Sequence, residues 1–245
     1  MASIMGHTQS WNHKMNTAIS EKVLKFYNQL DDKNHRYLSW EHCYNYFNEP
    51  DIDVDKACLH LAFYLASWGM YRGSSFLLWK DYLIHKEVVE KIISVRKNFQ
   101  STDFNNIADD DLTKILTLCD FIGNWYKDNS GKINGEVRIT EPSSILISKI
   151  ILGTLGCLPA YYRFFLSGLE EHNISPKKIS IEGLKELIKF YKNNKAEFDS
   201  LQTKVLIGDK PYPVMKLIDM YFWQIGFDKF NKSHIPGITG QLHRD

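Results

Sequence analysis

Long hydrophobic runs are missing from this 245-residue chain. The longest candidate, "ILISKIILGTLGCL", is interrupted by Lys149 and two glycines, and falls short of the roughly 20 residues a membrane helix needs. No membrane partner is therefore expected. The first residues, "MASIMGHTQSWNHKMNT", lack a charged segment followed by an apolar one, so they do not read as a secretory signal. Residues 1–15 are expected to form a flexible leader. The four cysteines, Cys43, Cys58, Cys119 and Cys157, are widely spaced with no CxxC pair. That excludes a zinc knuckle or disulfide framework and suits buried, free thiols in a cytoplasmic protein. Charge of one sign is missing too. Residues 1–140 carry 16 Lys/Arg and 18 Asp/Glu, and residues 141–245 carry 14 and 11, for a net charge of +1. A broadly basic nucleic-acid face is not announced, although a local patch fits inside a neutral total.

Nucleotide and metal motifs are absent as well. The sequence contains no GxxxxGK[ST], GxGxxG, HExxH or GxSxG, and its nine histidines do not fall at ligand spacing. No metal and no cofactor are expected. His60 lies on an apolar helix, where a satisfied core histidine is favoured over a ligand.

What the chain does have is helical periodicity almost throughout. Residues 19–30, "ISEKVLKFYNQL", place apolar side chains on one face. Ser39 is expected to cap a helix in "SWEHCYNYF", and residues 53–71 read as a central buried helix. "WKDYLIHKEVVEKIISVRKNF" reads as one amphipathic helix. "DDDLTKILTLCDFIGNWYKDN" opens with three acids suited to a helix N-terminus. Ser180 caps "SIEGLKELIKFYKNNKAEF", and "YPVMKLIDMYFWQIGF" forms a last buried helix before the tail "NKSHIPGITGQLHRD". "GEVRIT" is the strand candidate, in a hairpin near 128–141. The expectation is an all-α bundle of about 8–10 helices with at most that short hairpin. It forms one domain over 16–245, divisible into lobes 16–128 and 141–230.

Two stretches carry chemistry. In "SWGMYRGSSFLLWKDYLIH", Trp68, Tyr71, Trp79 and Tyr82 lie close to Arg72 and Lys80. Core packing of the aromatic residues is the bland explanation. A pocket wall with phosphate contacts from Arg72, Ser74 and Ser75 is the functional one. The other stretch is "SKIILGTLGCLPAYYRFF". Gly156 and Ala160 fit the second glycine and the following small residue of a helix-hairpin-helix. Thr154 stands where the first glycine belongs, with Gly153 one residue early. Ser148, Lys149 and Pro159 fall in the order found in bacterial proteins related to 8-oxoguanine DNA glycosylases, and Tyr162 stands where those have a catalytic Asp. The segment thus resembles helix-hairpin-helix DNA glycosylases.

That resemblance implies double-stranded DNA as partner and excision of a modified or damaged base turned out of the helix, in the manner of a monofunctional glycosylase. Such chemistry needs aromatic walls and a carboxylate to stabilise the cationic sugar. Asp120 and Asp219 both sit in apolar sequence, where an unpaired carboxylate is costly. Asp219 is preferred because Tyr221, Phe222 and Trp223 supply a wall, though an ion pair with Lys216 three residues earlier explains it equally simply. Asp219 and Tyr162 are the catalytic candidates; Trp68, Arg72, Lys149, Thr154, Gly156, Arg163 and Trp223 are the substrate and DNA candidates. The alternative is a non-catalytic helical binding protein or phage-defence accessory module. A thiol enzyme using Cys157 ranks third, with no activating His nearby in sequence.

Overall fold

The computed structural model describes residues 19–234, apart from 100–101, 134–135 and 138–139. The expected leader lies outside the described residues, as does most of the tail. Among the described residues there are ten α-helices: α1 (19–27), α2 (Leu38–Phe47), α3 (Val54–Ser67), α4 (Lys86–Val95), α5 (Asp109–Asn129), α6 (Ser144–Thr154), α7 (Arg163–Glu171), α8 (Ile181–Asn193), α9 (Lys195–Gln202) and α10 (Val214–His234). Two antiparallel hairpins complete it: β1 (Lys132–Ile133) with β2 (Glu136–Val137), and β3 (Leu206–Ile207) with β4 (Lys210–Pro211). The first lies where "GEVRIT" predicts it. The second was not anticipated; its signal is Gly208-Asp209, a two-residue turn in which Gly208 adopts φ +57°.

Local chemistry explains most helix ends. Asp53 caps α3 by accepting the Lys56 amide at 2.9 Å, and Ser180 caps α8 by accepting that of Gly183 at 3.1 Å. Three acids fill the first turn of α5. Helix α3 stops at Ser67 because Gly69 turns to φ +74°, earlier than periodicity predicts. Ser39 is not the cap of α2: the helix begins at Leu38, and the Ser39 hydroxyl is buried without a partner. The expected helix over 79–99 is instead two short 3₁₀ turns, Phe76–Trp79 and Tyr82–His85, followed by α4. Ser75 and Asp81 accept the amides of Leu77 and Leu83, which favours separate turns over continuous helix.

One continuous core takes residues from every helix, so the two expected lobes share a single interior. Helix α1 is joined to α10 and α9: Lys22 and Lys25 pair with Asp228 at 2.7 and 2.8 Å, and the Ser20 amide donates to Glu197 at 2.7 Å. Helices α7 and α10 pack backbone to backbone through two glycines. A Cβ on Gly168 would drive into the Phe222 carbonyl, and one on Gly226 into that of Phe164. On the other side of α6, a Cβ on Gly153 would meet the Tyr64 ring, 2.7 Å from its Cδ1, so glycine is what brings α6 against α3.

Candidate functional site

A small pocket opens where α3, α6, the α6–α7 connection and α10 meet. Tyr64 and Trp68 come from α3 and its end, Lys149 and Leu152 from α6, Ala160 and Tyr162 from the connection, and Lys216, Asp219 and Trp223 from α10. The i, i+3 and i+7 spacing of the last three puts them on one face of α10. The free volume inside is only about 10 Å³, room for a single water molecule. Counting its mouth, the hollow is about 270 Å³.

The connection is shaped by two side chains that take consecutive amides. Asp219 Oδ1 accepts the Ala160 N–H at 3.1 Å, and the Ser148 hydroxyl accepts that of Tyr161 at 2.9 Å. Ser148 in turn donates to the Ser144 carbonyl at 2.6 Å. This clamps the backbone so that the next residue, Tyr162, lies over Lys149, with the ammonium 4.8 Å from the ring centroid. The Ser-Lys pair and "PAYY" are thus one structural unit.

Lys149 is the unusual charge. It is 2% exposed and donates to the Trp68 carbonyl at 2.6 Å, with no carboxylate in hydrogen-bond range. Burial pulls its pKa down to about 7; the Asp219 charge resists this, while Arg72, Arg36 and Lys216 reinforce it. Beside it, Lys216 and Asp219 form the buried ion pair expected from their spacing, at 3.1 Å. The Lys216 ammonium also sits against the rings of Phe26, Trp40 and Trp68, 4.9 to 5.7 Å from their centroids, and burial lowers its pKa. Tyr64 is pushed well above the usual phenol range, first by burial and then by Asp219.

Three exposed arginines surround these residues. Arg36 lies 5.8 Å from the Trp68 ring centroid, Arg72 packs against Gly69, and Arg163 lies 5.9 Å from the Tyr162 centroid and 4.5 Å from that of Phe164. Two indole N–H groups in the pocket lining, those of Trp68 and Trp223, are buried without a hydrogen-bond partner.

The candidates of the sequence reading divide into two groups. Asp219, Tyr162, Trp68, Lys149 and Trp223 share this pocket, with Arg72 and Arg163 beside it. Thr154 and Gly156 do not belong, and the assignment to DNA contact is corrected. Thr154 is fully buried, its hydroxyl donating to Ile150 at 2.8 Å. Gly156, at φ +66° and buried, donates its amide to the Ile151 carbonyl and closes α6 beneath Pro213 and Tyr44. The hairpin is a buried helix cap, which glycine spacing alone does not distinguish from an exposed one. Asp120 is exposed on α5, not a buried acid. Trp79 is 51% exposed and so does not fill the core. Burial raises the Cys157 thiol, which disfavours a thiolate nucleophile.

Arg36 and Tyr64 were missed. Arg36 lies 32 positions from Trp68, out of reach of any local pattern, whereas Tyr64 sits one helical turn before Trp68 and its i, i+4 spacing was the available signal. Among the described residues, no three His, Cys, Asp or Glu side chains gather as a metal would need. The chain matches no protein-family model, no curated protein and no solved structure.

Proposed function

We propose that the chain is a DNA glycosylase-like protein that takes an extruded, modified base into the Lys149–Asp219 pocket and hydrolyses its glycosidic bond. The observation that supports this reading is the convergence of a near-neutral buried lysine and a buried carboxylate between aromatic rings, beneath three exposed arginines. In this scheme Trp68 and Tyr162 flank the base, and Arg36, Arg72 and Arg163 take backbone phosphates. Asp219, held by Lys216 and the Ala160 amide, faces the positive charge that develops on the sugar as the bond to the base breaks. The electron pair of that bond leaves with the base, Lys149 supplies the base's proton, and water adds to the sugar carbon, giving up a proton that restores Lys149.

The test is an abasic-site assay over duplexes bearing unmodified, damaged and hypermodified bases. The parent protein releases a base from at least one of them. Asp219→Asn still binds that duplex but loses base release by about a hundredfold or more. A parent protein that leaves every duplex intact overturns the reading.

One observation favours a second reading, a non-catalytic helical binding protein. The pocket's free volume is about that of one water, so no base fits without rearrangement of the lining. That reading requires DNA affinity with little salt dependence and no base release.

A further inference from the structure

The pocket lining is unequal in hydrogen-bonding capacity. Its carboxylate and two of its carbonyls are engaged: the Trp68 carbonyl by Lys149, the Leu152 carbonyl by the Trp40 indole at 3.0 Å, and the two Asp219 oxygens by the Ala160 amide and Lys216. Its donors are not. The Trp68 and Trp223 indole N–H groups have no acceptor in the described structure, and Trp223 is only 5% exposed. Lys149 carries three N–H bonds as an ammonium and commits one, to Trp68. Buried donors without partners are rare in native proteins, because each has lost water and gained nothing. Two such indoles, with the uncommitted N–H bonds of Lys149, mark the place where an acceptor-bearing molecule completes the set.

We infer that this pocket selects a planar ring whose edge presents carbonyl oxygens, a dioxo heterocycle of the uracil type, and rejects rings whose edge presents amino groups. The ring is gripped between Trp68 and Tyr162, the two half-buried members of the lining. Its oxygens accept from Lys149 and the two indoles. An exocyclic amino group in the place of one of those oxygens would meet an indole N–H and leave it unpaired, a mismatch that sites of this kind reject strongly. A single ring also demands less displacement of the walls than a fused one. The inference deepens the proposed function by naming the class of base, and rests on it for DNA as the source of that base.

The experiment uses the whole chain with free uracil and free cytosine as probes, followed by the indole N–H resonances of ¹⁵N-labelled tryptophan. Trp68→Phe and Trp223→Phe identify their own signals and retain a ring. Uracil is expected to shift both indole resonances and to bind at least about tenfold more tightly than cytosine. Each Trp→Phe protein should lose about tenfold in uracil affinity and distinctly less in cytosine affinity; Trp68, half-buried, is the safer of the two for folding. Equal affinity for the two bases, or unmoved indole signals up to the solubility of uracil, overturns the inference. Uracil binding with no base released from any duplex removes the glycosylase reading and leaves this inference standing. Base release with no preference for oxo-bearing bases does the reverse.

Discussion

Lys149 carries a cost that depends on pH. Its folded pKa of about 7 lies below the roughly 10.4 of an exposed lysine. Between those values the unfolded chain holds the proton and the folded chain does not, so stability rises with pH across that window. Below pH 7 the full penalty of a buried charge remains. Lys149→Met is therefore expected to stabilise the protein by about 2–4 kcal/mol at pH 6, the gain shrinking toward pH 10. Denaturant midpoints at pH 6, 8 and 10 check this; an equal or growing gain at high pH contradicts it. The residues that sequence reasoning found here were those whose local surroundings conflict with their chemistry: Lys149 within "SKIIL" and Asp219 within "LIDMYF". Arg36 shows the limit, because nothing within "KNHRYL" reveals that the Trp68 ring, 32 positions away, lies beside it.

At the scale of elements, the α7–α10 contact is the most demanding. Gly168 and Gly226 each face a carbonyl of the opposite helix, so the added methyl of alanine meets backbone and not a movable side chain. Gly168→Ala should cost about 3 kcal/mol, well beyond any gain in helix propensity. A thermal midpoint unchanged from the parent would show that the two helices separate easily. Helix presence was legible because periodicity is local. Helix continuity was less so: the expected helix from Ser180 breaks at Asn194, whose side chain turns back to the Phe190 carbonyl at 2.8 Å before α9 resumes. Asn favours that local bond over the ladder, a tendency seen only once the backbone bend is known. The glycines were visible as interruptions, yet their roles differ: Gly69 ends a helix, while Gly168 admits a neighbour.

The whole molecule responds to acid through a buried chain of hydroxyls and imidazole. His85 is fully buried, its Nε2 2.7 Å from the Tyr71 hydroxyl and its Nδ1 2.5 Å from that of Tyr126. Burial lowers its pKa to about 3, against about 6.5 unfolded. The unfolded chain gains a proton first, so this stabilisation, complete above pH 6.5, is lost as pH falls toward 3. His85→Gln should be less stable at pH 7 but lose less between pH 6.5 and 4, as measured by equilibrium unfolding. Because one core spans both halves, far-UV ellipticity and tryptophan fluorescence should report one coincident transition; two separated transitions would show that the halves unfold independently. DNA affinity, if phosphates meet Arg36, Arg72 and Arg163, should show a log–log salt slope near −3, reduced by about 1 for each Arg→Ala change.

The glycine-to-carbonyl contacts between α7 and α10 also bear on the pocket. Tyr162 and Arg163 begin α7, and Asp219 and Trp223 ride on α10, so these groups belong to a single stiff jaw. The opposing jaw ends at Trp68, where the chain turns through Gly69 and Gly73, both at positive φ. Its tether to the pocket is the hydrogen bond from Lys149 to the Trp68 carbonyl. Whatever displaces that ammonium also displaces the end of α3, so the seat of Trp68 and the position of Lys149 are set together.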